Sequence, residues 1–435
     1  MLSWQIRWRL YEYIRNSLWI VPFVFVVVAI TLGFVLPTLD ERTDFTIGVR
    51  FGSDAGRSVL GAIASGMITF TGFVFSILLL AVQFGSSQFS PRMLRRFLRA
   101  PTTKAALGSF VATFVYALMV LRLVGTGDNA DFVPHNSISI ALILLLLSML
   151  LFLRLLSKTT QGLRVAAVVS GLGRDAARVI DRVYPEPARG PDGVRDGDHD
   201  EAPQPAGRAR TVVYRGRPGI VQSFDVRHLV ERAWRHDAMI ELLPRPGDLV
   251  ADGFPLFQVY ADPQSSIDDK WLRGTVATGD ERTMRQDPAF AFRLLADISA
   301  KALSPGVNDP TTSTQAMDQI ELLLRQVGGR RLVNAGVAPD DTVRLRYRGP
   351  SWEDFLSLAV DETRQYGEGS IQVMRRLRAL LINVHHAVPA FRRPPVEKKI
   401  TLLEAAAQRV FPDRSDQLDA ITSDRQGLGA TDLHG

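Results

Sequence analysis

The chain of 435 residues contains no cysteine. That excludes disulfides, thiolate metal sites and cysteine nucleophiles. Lysine is nearly as scarce: of 51 basic residues, 6 are lysine and 45 arginine, a bias of genome composition rather than of chemistry. Histidine occurs 7 times, and only His385 and His386 adjoin. Neighbouring positions on a helix diverge by about 100°, so that pair is a poor metal clamp. No Walker loop, no G-x-S-x-G elbow, no H-E-x-x-H and no glycine-rich dinucleotide turn is present, and GLG at 171–173 is too short to be one. No base and nucleophile form a visible constellation. The expectation is a protein that is not an enzyme and needs no cofactor and no metal.

What the chain does have is long apolar runs, concentrated in its first 160 residues, while the other 275 read as a charged, water-soluble protein. Four runs reach the roughly 20 residues needed to cross a bilayer. They are Leu18 to Leu36, Val59 to Phe84, Ala105 to Val124 and Ile138 to Leu156. The first is too long for a signal-peptide core and no small-residue cleavage site follows it. The net charge of +6 could point to nucleic acid, but the basic residues cluster beside these runs, which favours a bilayer.

The short loops predict orientation. Arg7, Arg9 and Arg15 precede the first run, and Arg92, Arg95, Arg96, Arg99 and Lys104 fill the loop between the second and third. The next loop holds Asp128 and Asp131 and no basic residue. Positive residues stay in the cytoplasm. The N-terminus and C-terminal domain are therefore expected in the cytoplasm of a cell with this protein in its inner (plasma) membrane. Trp4, Trp8, Tyr11, Tyr13 and Trp19 suit an interfacial belt, and Arg92, Arg95, Arg96 and Arg99 suit anionic lipid headgroups.

The second run carries a polar stripe. At 100° per residue, Ser65, Thr69, Gly72, Ser76 and Gln83 fall within about 60° of one another. One reading is helix packing, because Gly61, Ser65 and Thr69 form a small-xxx-small series. The other is a water-filled path lined by hydroxyls and an amide, formed by several copies of the chain. Arg122, near the outer end of the third run, is either a selectivity charge for such a path or a side chain snorkelling to headgroups. No Asp, Glu, Lys or His lies at mid-depth in any run, which argues against a proton-coupled carrier.

Beyond the spans, 157–184 keeps a helical period, and 186–210 is a linker of Pro, Gly, Asp and Arg with little to bury. The domains are expected at 1–185 (membrane, with a helical extension), 186–210 (linker), 211–415 (α+β) and 416–435 (a mobile tail). The fold class is thus four transmembrane helices plus a cytoplasmic α+β domain. Strands are predicted at 211–215, 219–225, 238–244, 254–260 and 341–349. Helices are predicted at 226–237, 289–303, 309–327, 351–366, 369–386 and 396–410. PGDLVADGFPLFQV resembles the turn and strand of barrel-sandwich carriers such as lipoyl domains, but no lysine lies in it, and any polar hairpin explains the pattern as well.

Residues 302–312, ALSPGVNDPTT, pack polar side chains around two prolines and a glycine. Ser304-Pro305-Gly306 reads as a helix stop, with Gly306 able to take positive φ, and Asp309-Pro310 as a helix start. A functional version of the loop would use Arg293, Asp297, Ser304, Asn308, Asp309 and Thr312, with Arg293 and Asp297 four apart and positioned to pair. Together with FRLLADISAKA before it, ERTMRQD at 281–287, FSPRMLRRFLR after the second run and DRQGLG near the C-terminus, the loop resembles the mark of a bacterial family of predicted four-span membrane proteins. That family carries an ALSPG-(Ile or Val)-NDP loop. The resemblance implies membrane location and carries over no catalytic residue and no ligand. Two functions remain open: a homo-oligomeric channel lined by the second run, or a membrane-anchored sensor or scaffold with a ligand or partner at 302–312.

Overall fold

The structure, a computed structural model, describes residues 17–42, 49–88, 101–124, 132–162, 164–188, 208–262, 267–332, 335–340 and 342–428, with Trp4, Arg7, Trp8, Tyr13 and Ile14 before them. The chain divides into two compact units, Tyr11–Arg164 and Val165–Gly435 with Met1–Leu10. Arg92, Arg95, Arg96 and Arg99, and the linker residues 189–207, lie outside the described residues.

Four helices of the first unit are long and apolar enough to cross a membrane: α1 (Ile20–Arg42), α2 (Ser53–Gln88), α3 (Pro101–Leu121) and α4 (His135–Gly162). The four runs read from the sequence lie within them, apart from a few end residues. Helix α3 packs against each of the other three. Its composition explains this, because Ala106, Gly108, Ser109, Ala112, Thr113 and Ala117 keep its surface thin. A Cβ on Gly108 would stand 3.0 Å from the Phe25 ring and 3.2 Å from the Pro22 backbone, so only glycine lets α1 come this close.

Buried polar groups in this unit are paired, as an apolar surrounding requires. The hydroxyls of Ser109 and Ser148 are 2.8 Å apart, and those of Thr113 and Ser148 2.9 Å. The Tyr116 hydroxyl donates to the Ser137 carbonyl (3.0 Å). Asp40 accepts from the Ser137 amide (2.9 Å) and hydroxyl (2.7 Å), which ties the end of α1 to the start of α4. Arg57 donates to the Val124 carbonyl just past α3 (2.8 Å). Much of the outward surface is apolar, with Phe23, Phe34, Phe73, Leu146 and Leu150 exposed.

The second unit opens with α5 (Val165–Val183), which buries Val168, Val169, Leu172, Ala176, Val179 and Ile180 on one face. The helical extension assigned to the membrane domain thus belongs to the other compact unit, and Gly162 closes α4 before it. Next come β1 (Arg208–Val213), β2 (Gly219–Phe224), α6 (Val226–Arg235), β3 (Met239–Leu242), β4 (Leu249–Val250), β5 (Pro255–Ala261), α7 (Asp269–Arg273) and β6 (Val276–Gly279). Then follow α8 (Pro288–Ala302), α9 (Pro310–Gly328), β7 (Ala335–Val337), β8 (Val343–Tyr347), α10 (Trp352–Gly367), α11 (Ile371–Ala387), α12 (Arg393–Val410) and α13 (Arg414–Ala420).

The strands form two sheets. One has the order β1-β5-β3-β8-β7, antiparallel except for the parallel pair β3–β8; the other has the order β4-β2-β6. A core of Val212, Val221, Leu229, Ile240, Phe257, Val259 and Leu345 joins them. The helices α5 and α8 to α12 pack on one another, with Phe292, Met317, Phe355 and Leu380 buried between them. Start signals are met in side chains: Asp225, Asp287, Ser351 and Ser370 each accept a backbone N–H at a helix N-terminus.

Four expectations need correction. PGDLVADGFPLFQV is not a hairpin, because β4 pairs with β2 while β5 pairs with β1 and β3 in the other sheet. Trp8 clusters with the C-terminal unit, where it is buried and the Arg285 guanidinium lies 5.7 Å from its ring, rather than standing in an interfacial belt. The described part of the tail is not loose, since α13 covers 414–420 and Asp424 is buried, accepting from the amides of Gln426 and Gly427. In the 302–312 loop the positive φ falls on Asn308 (46°) and not on Gly306.

Candidate functional site

Helix α2 packs into the first unit through Leu60, Ile63, Ala64, Met67 and Val74. By helical geometry that face lies about 180° from the polar stripe. Ser65, Thr69, Gly72, Ser76 and Gln83 are all exposed, and a Cβ on Gly61 would meet nothing within 4 Å. Among the described residues, the small-xxx-small series is therefore not used for packing inside this chain. The hydroxyls turn back on their own helix: Ser65 donates to the Gly61 carbonyl (2.9 Å), Thr69 to Ser65 (3.0 Å) and Ser76 to Gly72 (3.0 Å). Each proton is thereby satisfied, and each oxygen keeps acceptor capacity facing outward. Arg122 is exposed, its guanidinium 5.9 Å from the Phe34 ring of α1.

The six residues of the loop hypothesis divide into two places. Ser304, Asn308, Asp309 and Thr312 form the corner between α8 and α9. Asp309 caps α9, accepting from the Thr312 amide (3.0 Å) and hydroxyl (2.5 Å), with Pro310 in the first turn. Ser304 donates to the Lys301 carbonyl (2.7 Å), and the Asn308 amide returns to the Ser304 carbonyl (2.9 Å). The Ser304, Asp309 and Thr312 side chains thus bond within the corner itself. Asp309→Ala is expected to destabilise the C-terminal unit by ~1 kcal/mol through loss of the cap. Asn308→Gly should be neutral or slightly stabilising, because the position already has positive φ. Thermal melts of the full chain in detergent measure both.

Arg293 lies elsewhere. The predicted pair with Asp297 forms, Arg293 Nε to Asp297 Oδ1 being 2.7 Å, and the same guanidinium holds Glu362 of α10 with two nitrogens. The bond to Arg293 holds the Glu362 carboxyl below its usual range. Arg293 and Glu362 stand in the wall of a cavity of about 830 Å³. The ends of α5, β2 and β8, the starts of α8 and α10, and the β7–β8 hairpin build it. Arg182, Arg245, Arg282, Arg331 and Arg348 also line it. Arg282 pairs with Asp287, whose carboxyl burial pushes up and the Arg282 bond pulls back down. Arg331 pairs with Glu186 (2.9 Å). Burial raises the phenol of Tyr347, which meets Phe224 edge-on at 4.9 Å. Sequence reading missed this cavity, although ERTMRQD supplies two of its charges, Arg282 and Asp287.

Elsewhere, His385 bonds to Glu397 (2.8 Å). Asp268 caps α7, and Asp340 accepts from Thr342 and from the Trp234 indole (3.0 Å).

Four membrane-length helices with a separate two-sheet α/β unit define a helical membrane protein with an attached globular domain. The chain belongs to the family described as "Predicted membrane protein (DUF2254)", whose model matches residues 15–383. It is 29% identical over 424 residues to the uncharacterized protein Rv1290c of Mycobacterium tuberculosis, covering 93% of this chain and 79% of the relative. The uncharacterized protein Mb1321c of Mycobacterium bovis matches with the same identity and coverage. No solved structure matches.

Proposed function

We propose that the chain is the subunit of a homo-oligomeric channel in the bacterial inner (plasma) membrane. In this reading α2 lines the path, the C-terminal unit regulates it from the cytoplasm, and no reaction is catalysed. The observation that carries the reading is the placement of the α2 stripe. Ser65, Thr69, Gly72, Ser76 and Gln83 are exposed, on the side of the helix away from the chain's own packing face. A surface of outward oxygens gains little from lipid. Several copies arranged around an axis would turn it toward water. No charge stands on the stripe, so selectivity by charge would have to come from elsewhere, with Arg122 as the candidate.

The test is flux and mass together. Purified protein in liposomes should pass small ions or solutes, and native mass spectrometry should give a multiple of the 48.2 kDa chain. A monomer without flux removes the reading.

A membrane-anchored sensor is the second reading. The arginine-lined cavity favours it over the 302–312 corner as the place where a ligand would sit.

A further inference from the structure

We infer that the cavity of the C-terminal unit is a binding site for a nucleoside monophosphate. The inference is independent of the channel reading, because it concerns the C-terminal unit alone.

Charge is the first argument. Three of the six arginines of the wall already have partners: Arg282 with Asp287, Arg293 with Glu362 and Asp297, and Arg331 with Glu186. The wall carboxylate Asp361 is held by Lys399 (2.8 Å). Among the described residues Arg182 and Arg348 have no ion pair, and both line the cavity with exposed side chains. Arg245 approaches Asp354 only at 3.9 Å, and that carboxylate already accepts from the Ser351 amide (3.0 Å). Two to three guanidiniums are thus left facing one cavity, a charge that a phosphomonoester dianion of about −1.5 to −2 would balance. Guanidinium is the donor suited to phosphate, because its fork can give two parallel hydrogen bonds.

Size and lining are the second argument. A cavity of about 830 Å³ is too large for a bare oxyanion and falls in the ~300–1,000 Å³ range of organic-ligand sites. Apolar and aromatic side chains of Phe224, Tyr347, Leu358, Val337 and Val343 are also among its lining. Val337 is half exposed there, at 51%. Such a wall suits the flat face of a base. The carboxylates beside it complete the match. Glu186, Asp361 and Glu362 are hydrogen-bond acceptors, which ribose hydroxyls or a base amine can satisfy and a fatty acid cannot. One ligand class carries anion, ring and donors together.

The experiment uses the full chain in detergent or nanodiscs, with AMP, GMP, CMP and UMP as probes, and adenosine and inorganic phosphate as partial probes. Calorimetry should show saturable binding of at least one monophosphate, with adenosine and phosphate each weaker by tenfold or more. The double variant Arg182→Ala/Arg348→Ala should weaken that binding by about 100-fold, given the strength of charge-assisted hydrogen bonds. The control double variant Arg215→Ala/Arg409→Ala removes two guanidiniums exposed at 62% and 61%, and it should leave the binding unchanged. The inference is overturned if none of the four monophosphates binds, if phosphate alone binds as tightly, or if the Arg182/Arg348 variant binds like the parent protein.

Discussion

Thr69→Trp is expected to abolish flux through reconstituted protein while leaving its oligomeric mass unchanged. Thr69 lies mid-stripe on α2, is exposed, and spends its hydroxyl proton on the Ser65 carbonyl. Among the described residues, replacing it therefore removes only this bond to its own helix, and the folded unit should survive. An indole on each copy would fill a narrow path at one level, and conduction should fall by about tenfold or more. Thr69→Ala keeps the bore and removes only a hydroxyl that already has a partner, so it should conduct nearly as the parent does. The pair of variants separates three surroundings of the stripe. If it faces water, Trp blocks and Ala does not, with the mass retained. If copies pack there directly, the small-residue contact is spoiled and Thr69→Trp dissociates the oligomer. If it faces lipid, neither variant changes flux or mass. The second and third outcomes both reject a path lined by α2.

How much of this was readable in the residues alone depends on how local the information is. The four spans are visible because run length is the whole signal, and α1 to α4 cover the predicted runs. The 302–312 corner is visible for the same reason, since Asp309-Pro310 acts on its own helix. The extension after α4 was misplaced because a helical period runs on through Gly162, and periodicity does not say which core an amphipathic face joins. Strands β4 and β6 have two and four residues, too short to show alternation. The false hairpin has a true turn, but its two strands go to different sheets, which is tertiary information.

The cavity was hidden for a further reason. Its wall comes from segments between Arg182 and Glu362 that no spacing rule connects, and its arginines are a few among 45. The polar face of α2 is the intermediate case. Helical geometry placed its residues together, but only the packing of Leu60, Met67 and Val74 showed that the chain's own core uses the other side.

Arg376→Ala is expected to cost the C-terminal unit ~3–5 kcal/mol, the usual result of removing one partner of a buried ion pair. Arg376, on α11, is 4% exposed and reaches two carboxylates of α9. Its Nε donates to Asp318 (2.9 Å) and its Nη2 to Glu321 (2.8 Å). The two losses differ in weight. Asp318 is half exposed, so water takes over when the guanidinium leaves. Glu321 is buried, and among the described residues would keep only the Asn383 amide (2.9 Å) and a distant Arg325 (3.8 Å). A buried carboxylate so poorly balanced is the main penalty. The same site anchors the chain's end. Gly427 has φ +67°, and a Cβ there would stand 3.1 Å from Thr314 and 3.4 Å from Arg376 Cδ, while Gln372 donates to its carbonyl. The DRQGL segment thus lies against α9 and α11, beside the Arg376 side chain. Against a typical domain stability of 5–15 kcal/mol, Arg376→Ala should lower the melting temperature by several degrees or more and expose residues 421–428 to protease. Arg376→Met combined with Glu321→Leu removes both charges and should recover much of the loss. A melt of Arg376→Ala equal to the parent's would show that the α9–α11 contact stands on its apolar residues alone.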